Sequence, residues 1–295
     1  MINQAPKVSV ILPTYNRAYI IEKSIQSVLN QTYQDFEIIV IDDGSKDNTE
    51  EIIKELQEKD NRIRYLRLNI NKGASHARNE GIKIAQGEYI TFQDSDAEWM
   101  PEKLEKQIKA IENENNLKII YTGFWRIEGE NKYYIPDKYI SQKEGYIYKK
   151  LLKGGFVDTV SLMVNKECFK KVGVFDEKLP LHEDWDLAIR LSKYYEFKLI
   201  DEPLFISQCY KDSISLNQDA KMKAIELIYL KYHNEINRDI KLRKSWSFLF
   251  NNVAKLYLKK NNNNKARQLY WRAIKLYPIW RGNYIDLIKY LLKKN

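Results

Sequence analysis

The sequence predicts an α/β fold, a largely parallel, doubly wound sheet followed by a helical extension. Two observations predict it. Short apolar runs alternate with amphipathic helical stretches through the N-terminal half, the pattern of a sheet with crossover helices. Each run also stops at acidic, aromatic or small polar residues, and in such sheets ligands bind beyond the carboxyl ends of the strands.

In chain order, Val8 to Leu12 is an apolar run ending in Pro13-Thr14-Tyr15-Asn16. Phe36 to Ile41 ends in Asp42-Asp43-Gly44-Ser45, Ile63 to Leu68 leads into Asn69 to Gly73, and Tyr89 to Phe92 runs into Asp94. Helical periodicity fills the intervals, at Ile20 to Leu29, Asn48 to Lys59 and Ser75 to Ala85, the second with Asp47 and Asn48 as cap candidates. Tyr15, Asp43, Asp94 and Asp96 all fall at predicted strand ends.

Asp94 and Asp96 stand with one residue between them, before Trp99 and Pro101. At that spacing two carboxylates point to the same side of an extended chain, and Mg²⁺ or Mn²⁺ is commonly held by one or two carboxylates plus substrate phosphates. The same residues suit a solvated turn. No G-x-G-x-x-G follows the first run and no G-x-x-x-x-G-K-[ST] occurs, so a phosphate ligand would need such a cation in place of a glycine cradle. Asp43 can accept from a nucleobase N–H edge while Tyr15 packs on its face; Asp42-Asp43-Gly44-Ser45 can equally be a turn that caps the next helix.

Five ordered motifs, PTYNR, DDGSKDNTEE, NKGASHARNEGI, GEYITFQDSD and VGVFDEKLPLHEDWDLAIRLS, resemble glycosyltransferase family 2, which has the Rossmann-like GT-A fold that binds nucleotide sugars. The resemblance spans roughly Val8 to Ser215. It implies that Pro13, Tyr15 and Asp43 hold the nucleoside, that Arg78 lies near the diphosphate, and that Asp94 and Asp96 contact the ribose and the metal. The family's common D-x-D-D pattern ends here in Ala97, which keeps the D-x-D pair.

Leu181 to Asp186 opens a second helical pattern with His182, Glu183, Asp184 and Trp185. Carboxylates in a first helical turn are favoured by the dipole whatever their function. The resemblance implies that Asp184 is the catalytic base, with Glu183 positioning the acceptor. An acceptor hydroxyl needs a carboxylate to take its proton, and one base opposite the leaving group implies inversion at the anomeric carbon. Trp99 and Trp185 can stack on a sugar or fill the core. Asp201 to Tyr210 looks like the strand that closes the family's domain. Beyond it only Lys211 is basic in Tyr210 to Ser215, so no third metal ligand is assigned. His76, His182 and His233 form no zinc spacing.

Two cysteines, Cys168 and Cys209, make no disulfide framework, and the first seven residues lack an apolar signal core, so a reducing cytoplasm is expected. No apolar run reaches the ~18 residues of a membrane span. Charge divides the chain unevenly. Residues 1–215 hold 31 Lys+Arg against 35 Asp+Glu, whereas residues 216–295 hold 18 against 5, a net of +13. We therefore expect a transferase domain over 1–215 and a basic helical region over 216–295. In the latter, Phe250, Val253, Ala254, Tyr257, Ala266, Tyr270, Ala273 and Pro278 have the spacing of one tetratricopeptide-like helix pair turning at Asn261 to Asn264. One such pair cannot bury its own apolar face, so it should pack on the transferase domain, on a final helix Tyr284 to Leu292, or on a second subunit in a homodimer. The basic charge suits a solvated face, or an anionic membrane surface met by Trp280 to Leu292. No nucleic-acid-binding motif occurs.

The sequence thus predicts an inverting, metal-dependent hexosyltransferase. It would use Mn²⁺ or Mg²⁺ and a nucleotide-diphospho-sugar, UDP-linked, to extend a glycan or lipid-linked acceptor of cell-surface polysaccharide at the inner membrane face. A sugar-1-phosphate nucleotidylyltransferase shares the sheet but carries a Gly-rich basic loop after its first strand, which Pro13 to Arg17 is not. A non-catalytic, transferase-like adaptor would not require Asp96 and Asp184.

Overall fold

The computed structural model describes residues 5–114, 116–210, 213–280, 282 and 284 of the 295. The chain divides into two compact units, residues 1–151 with 155–217 and residues 152–154 with 218–295.

The first unit is an α/β sheet. It begins with β1 (Val8–Thr14), α1 (Ile21–Leu29), β2 (Phe36–Asp42), α2 (Thr49–Lys59), β3 (Ile63–Arg67), α3 (Ala74–Ile84) and β4 (Tyr89–Phe92). Every residue of β1, β2 and β4 is buried, as the continuous apolar runs require of strands covered on both faces. These strands pair in parallel in the order β3-β2-β1-β4. Helix α3 lies close on β1. A Cβ on Gly81 would meet the Ile11 side chain at 2.5 Å, so only glycine permits that approach.

Past β4 the parallel pattern breaks. The chain continues through β5 (Ala97–Trp99), α4 (Lys103–Asn113), β6 (Ile119–Glu128), β7 (Asn131–Ile135), α5 (Tyr148–Leu151), β8 (Met163–Asn165), α6 (Glu167–Val172), α7 (Glu183–Ser192) and β9 (Lys198–Gln208). The sheet extends from β4 as β8-β6-β9-β5, with β7 on β6. Here β4·β8, β6·β8, β6·β7 and β5·β9 are antiparallel, and only β6·β9 is parallel. The sheet is thus mixed where a largely parallel one was predicted: no crossover helix separates β6 from β7, and the short strands β8 and β5 run against the strands they join. β6 and β7 are joined by a two-residue turn carrying Gly129 at φ +61°, a hairpin connection that reverses the chain.

The second unit contains α8 (Gln218–Arg238), α9 (Ile240–Lys259) and α10 (Asn263–Leu276). Asp239 caps α9 and Asn262 caps α10 through their side chains. The apolar positions read as a helix pair bury Phe250, Val253, Ala254, Ala266, Tyr270 and Ala273. α8 supplies Tyr229 against Trp246 and Phe250 at 5.5 and 4.9 Å between ring centroids, so part of the pair's apolar face is covered within its own unit. The final helix expected over Tyr284 to Leu292 lies outside the described residues apart from Tyr284 itself. Among the described residues no helix is long and apolar enough to cross a membrane.

Candidate functional site

The loops after β1 and β2 are laced together. Asn16, in the left-handed region at φ +52°, donates its backbone N–H to Ser45 Oγ and accepts from Lys46 N. Arg17 and Ala18 donate theirs to Thr49 Oγ1 and Asp47 Oδ2. The polar residues of PTYNR and DDGSKDNT therefore hold one another. Asp47 accepts from Thr49 N and Oγ1 at the start of α2, while Asn48 makes no cap bond. Pro13 is buried at the end of β1, and Tyr15, just past it, is exposed.

Asp42 and Asp43 divide their work. Asp42 accepts from Ser45 N at 2.8 Å and from the Tyr65 hydroxyl at 2.7 Å, so it builds the turn. Asp43 accepts from Lys72 N at 2.9 Å and Gly73 N at 2.7 Å, tying β2 to the loop that opens α3. Gly73 sits there at φ +93°, where a side chain would be strained. Burial pushes the Asp43 carboxyl up, and the two backbone N–H groups oppose that shift. Lys72 N and Gly73 N both reach Oδ2, so it is Oδ1, bonded by Lys72 N alone, that keeps lone-pair capacity for a further donor.

Arg78 is the hub. It projects from α3 and is 5% exposed. One nitrogen donates to Asp94 Oδ1 and the other to Glu183 Oε1, both at 2.7 Å. The guanidinium lies over the Phe175 ring at 5.5 Å, and its Nε has no protein partner. Burial alone would lower this guanidinium's proton affinity; Asp94 and Glu183 outweigh it and hold the group above its ordinary value. Asn79, the next residue, clamps the loop before α7, accepting from Phe175 N and donating to Phe175 O.

Asp94 and Asp96 form the turn from β4 into β5, with Asp94 O accepting from Ser24 Oγ and from Ala97 N. Asp96 makes no ion pair among the described residues. Burial and the neighbouring Asp94 push its carboxyl up to about 6, against the pull of Arg17. Across from them α7 begins at His182, whose φ of +61° is a strained setting for a non-glycine residue. Asp184 accepts from Trp185 N at 2.7 Å. Burial, Glu183 and Asp158 together drive its proton affinity well above that of an ordinary carboxyl.

The structure therefore gathers Arg78, Asp94 and Glu183 in one bonded cluster, with Asp96 and Asp184 beside its two carboxylates in sequence. Trp185 does not join it. Its indole is 5% exposed and donates to Leu151 O at 2.6 Å, so its face serves the core. Trp99 is likewise 3% exposed. Lys211 lies outside the described residues. Sequence reasoning passed over Asp158 and Arg17. Burial and Asp94 push Asp158 up to about 6, and its charge in turn acts on Asp96 and Asp184. Asp158 stands in GGFVDTV with no partner at ligand spacing, and nothing in the sequence marks it. Arg17 was visible as the basic residue of PTYNR.

The mixed α/β sheet, parallel from β3 to β4 and antiparallel beyond, has the GT-A-type fold, and solved structures share it. Staphylococcus aureus TarS superposes with a TM-score of 0.70 at 18% identity, covering 92% of this chain and 49% of that one, so this chain spans about half the length of TarS. Its residues 1–349 in complex with UDP-GlcNAc give 0.64 at 18% identity, over 92% and 89%. The mannosyltransferase PcManGT of Pyrobaculum calidifontis, in complex with GDP-Man and Mn²⁺, gives 0.61 at 17% identity, over 99% and 89%.

The family follows from sequence. The model of glycosyl transferase family 2 matches residues 9–173. An uncharacterized glycosyltransferase of Methanocaldococcus jannaschii is 35% identical, covering 77% of this chain and 79% of that one. The putative teichuronic acid biosynthesis glycosyltransferase TuaG of Bacillus subtilis is 33% identical, over 84% and 96%. The chain belongs to glycosyl transferase family 2 and is a glycosyltransferase.

Proposed function

We propose that this protein is an inverting, divalent-metal-dependent transferase that moves a sugar from a UDP-sugar to a glycan or lipid-linked acceptor of cell-surface polysaccharide. The observation that carries the reading is the Arg78 bridge. One buried guanidinium ties the Asp94 turn to Glu183, one residue from Asp184, so donor-side and acceptor-side carboxylates share one rigid frame.

In this reading Pro13, Tyr15 and Asp43 hold the nucleoside, Asp94 the ribose, and Arg78 lies by the diphosphate. Asp96 takes the cation. The chemistry of the pair fits Mn²⁺ or Mg²⁺, since both offer hard carboxylate oxygens and Asp96 carries charge that burial and Asp94 leave poorly compensated. No group of three or more His, Cys, Asp or Glu among the described residues is placed to hold a metal, so donor phosphates would complete the coordination. A bound cation supplies charge that stabilises the departing diphosphate. Glu183 orients the acceptor hydroxyl and Asp184 removes its proton. The hydroxyl oxygen bonds to the anomeric carbon as the bond to the β-phosphate oxygen breaks, and UDP leaves in a single displacement. The raised proton affinity of Asp184 suits a base that takes a proton during attack. TuaG's name supports the polysaccharide acceptor.

UDP release from a panel of nucleotide sugars, with Mn²⁺ and with EDTA, tests the reading. Release from at least one UDP-sugar that EDTA abolishes is expected; release unaffected by EDTA, or from GDP-sugars alone, would overturn it.

We place the enzyme in the cytoplasm, at the inner membrane face, on the net +13 of residues 216–295. Most of the apolar stretch from Trp280 to Leu292 lies outside the described residues. Sedimentation with anionic vesicles that weakens as salt rises is expected. Equal binding to neutral vesicles, or none to either, would leave the tail as a packing or dimerisation element.

A further inference from the structure

Lys103 is fully buried, with no exposed surface, at the first residue of α4. Both circumstances act against its charge. Burial removes the water an ammonium prefers, and the start of a helix carries the positive end of the dipole. A lysine normally extends its stem and keeps its nitrogen in water. Here the nitrogen lies 4.0 Å from the centroid of the Trp99 ring and donates to Gln107 Oε1 at 3.0 Å. Burial pulls its proton affinity well down, and the charge of Asp158 opposes that pull.

The bonds around Lys103 lead in two directions. Through the Trp99 ring they reach β5, where Trp99 N donates to Ser27 Oγ, a hydroxyl that also accepts from Gln93. This is the strand that opens one residue after Asp96. Through Gln107 they reach the turn holding Asp158. Gln107 Nε2 donates to Ser161 O at 3.2 Å, and Ser161 Oγ donates to Asp158 O at 2.6 Å. The Asp158 carboxylate caps the same turn by accepting from Val160 N at 2.8 Å. Gln107 and Ser161 are buried as deeply as Lys103. Apolar residues would fill this space without the cost of burying a primary amine and its amide and hydroxyl partners, so the geometry calls for a use of the polar chain.

We propose that Lys103 is a positioning residue for the transfer reaction: through Gln107 and Ser161 it fixes the turn that presents Asp158 to the acidic centre. The Asp158 charge acts on Asp184, and a base in more negative surroundings holds a proton more tightly. Lys103 touches neither donor nor acceptor. The proposal rests on the assignment of Asp184 as base.

The test compares wild type with Lys103→Met, Gln107→Met, Asp158→Asn and the double variant Lys103→Met/Asp158→Asn. UDP affinity is measured by calorimetry without divalent metal, which also counts competent sites. Turnover is UDP release to water from the best donor of the panel, per competent site. Lys103→Met and Gln107→Met should each lower turnover about tenfold while UDP affinity stays within about twofold, and the double variant should be no worse than Asp158→Asn alone. Unchanged turnover in Lys103→Met, or losses that multiply in the double variant, would reduce Lys103 to packing. If neither methionine variant folds, Lys103 is a folding residue and the proposal falls. Asp184→Asn is measured alongside. Normal turnover there would overturn the base assignment itself, whatever Lys103 does.

Discussion

Asp94 and Glu183 each accept a 2.7 Å bond from Arg78, whereas no cation bonds the side chains of Asp96 and Asp184 among the described residues, and the proton affinities of both rise. The two pairs are close in sequence, two residues apart on one side and adjacent on the other, yet they live in different electrostatic conditions. The arginine holds the two carboxylates that are proposed to position donor and acceptor. The carboxylates left without it are the ones proposed to meet charge from outside, a cation at Asp96 and a proton at Asp184. A carboxylate already locked to a guanidinium is a poor base and a poor metal ligand, so the unequal sharing divides positioning from chemistry.

Removing the arginine should break the comparison most severely. Arg78→Met leaves the partly buried Asp94 and Glu183 without their shared cation, a loss of about 2–3 kcal/mol in denaturant unfolding once their solvent exposure is allowed for. A loss below ~1 kcal/mol would mean that water already satisfies both carboxylates and that the bridge orients nothing.

Asp184→Asn should lower turnover about 10²-fold or more, the usual scale for a general base, with UDP affinity intact. Near-normal turnover would place the base elsewhere. Because the carboxyl's proton affinity is raised, wild-type turnover should fall on acidification at a pH well above the ordinary carboxyl value of about 3.9. An acid limb near 4 would show Asp184 to be as well solvated as a surface carboxylate.

A smaller effect sharpens the comparison through stability. Asp158 titrates at about 6 when folded and near 3.9 when unfolded. The folded state therefore binds the extra proton in between. This contribution is fully present below about pH 4 and is lost as pH rises through about 6. Metal-free wild type should lose about 1–2 kcal/mol more than Asp158→Asn between pH 4 and pH 7, after allowance for partial solvent screening. Equal losses would remove Asp158 from the acidic centre.

Much of this was legible in the chain. The continuous apolar runs of β1, β2 and β4 and the periodicity of α1 to α3 gave the parallel half directly, because strands covered on both faces leave little room for polar residues. The second half was less legible. β5 is three residues long and β8 is another three, too short for any period to register, and their antiparallel pairing depends on turns rather than on composition. The acidic strand ends could be placed from sequence, but the Arg78 bridge spans 105 residues to Glu183, and no local pattern encodes it. Trp185 reads as a candidate stacking residue because it adjoins Asp184. Its inward direction follows from the turn of α7, which places successive side chains about 100° apart. Asp158 and Lys103 matter only through neighbours brought in by the fold.

The most direct measurement is the calorimetric affinity for UDP, with and without Mn²⁺, in wild type and in Asp96→Ala. If Asp96 is the carboxylate left available for the cation while Asp94 is held by Arg78, Mn²⁺ should tighten UDP binding in wild type and make no difference in the variant. The same Mn²⁺-dependent gain in both proteins would contradict the account.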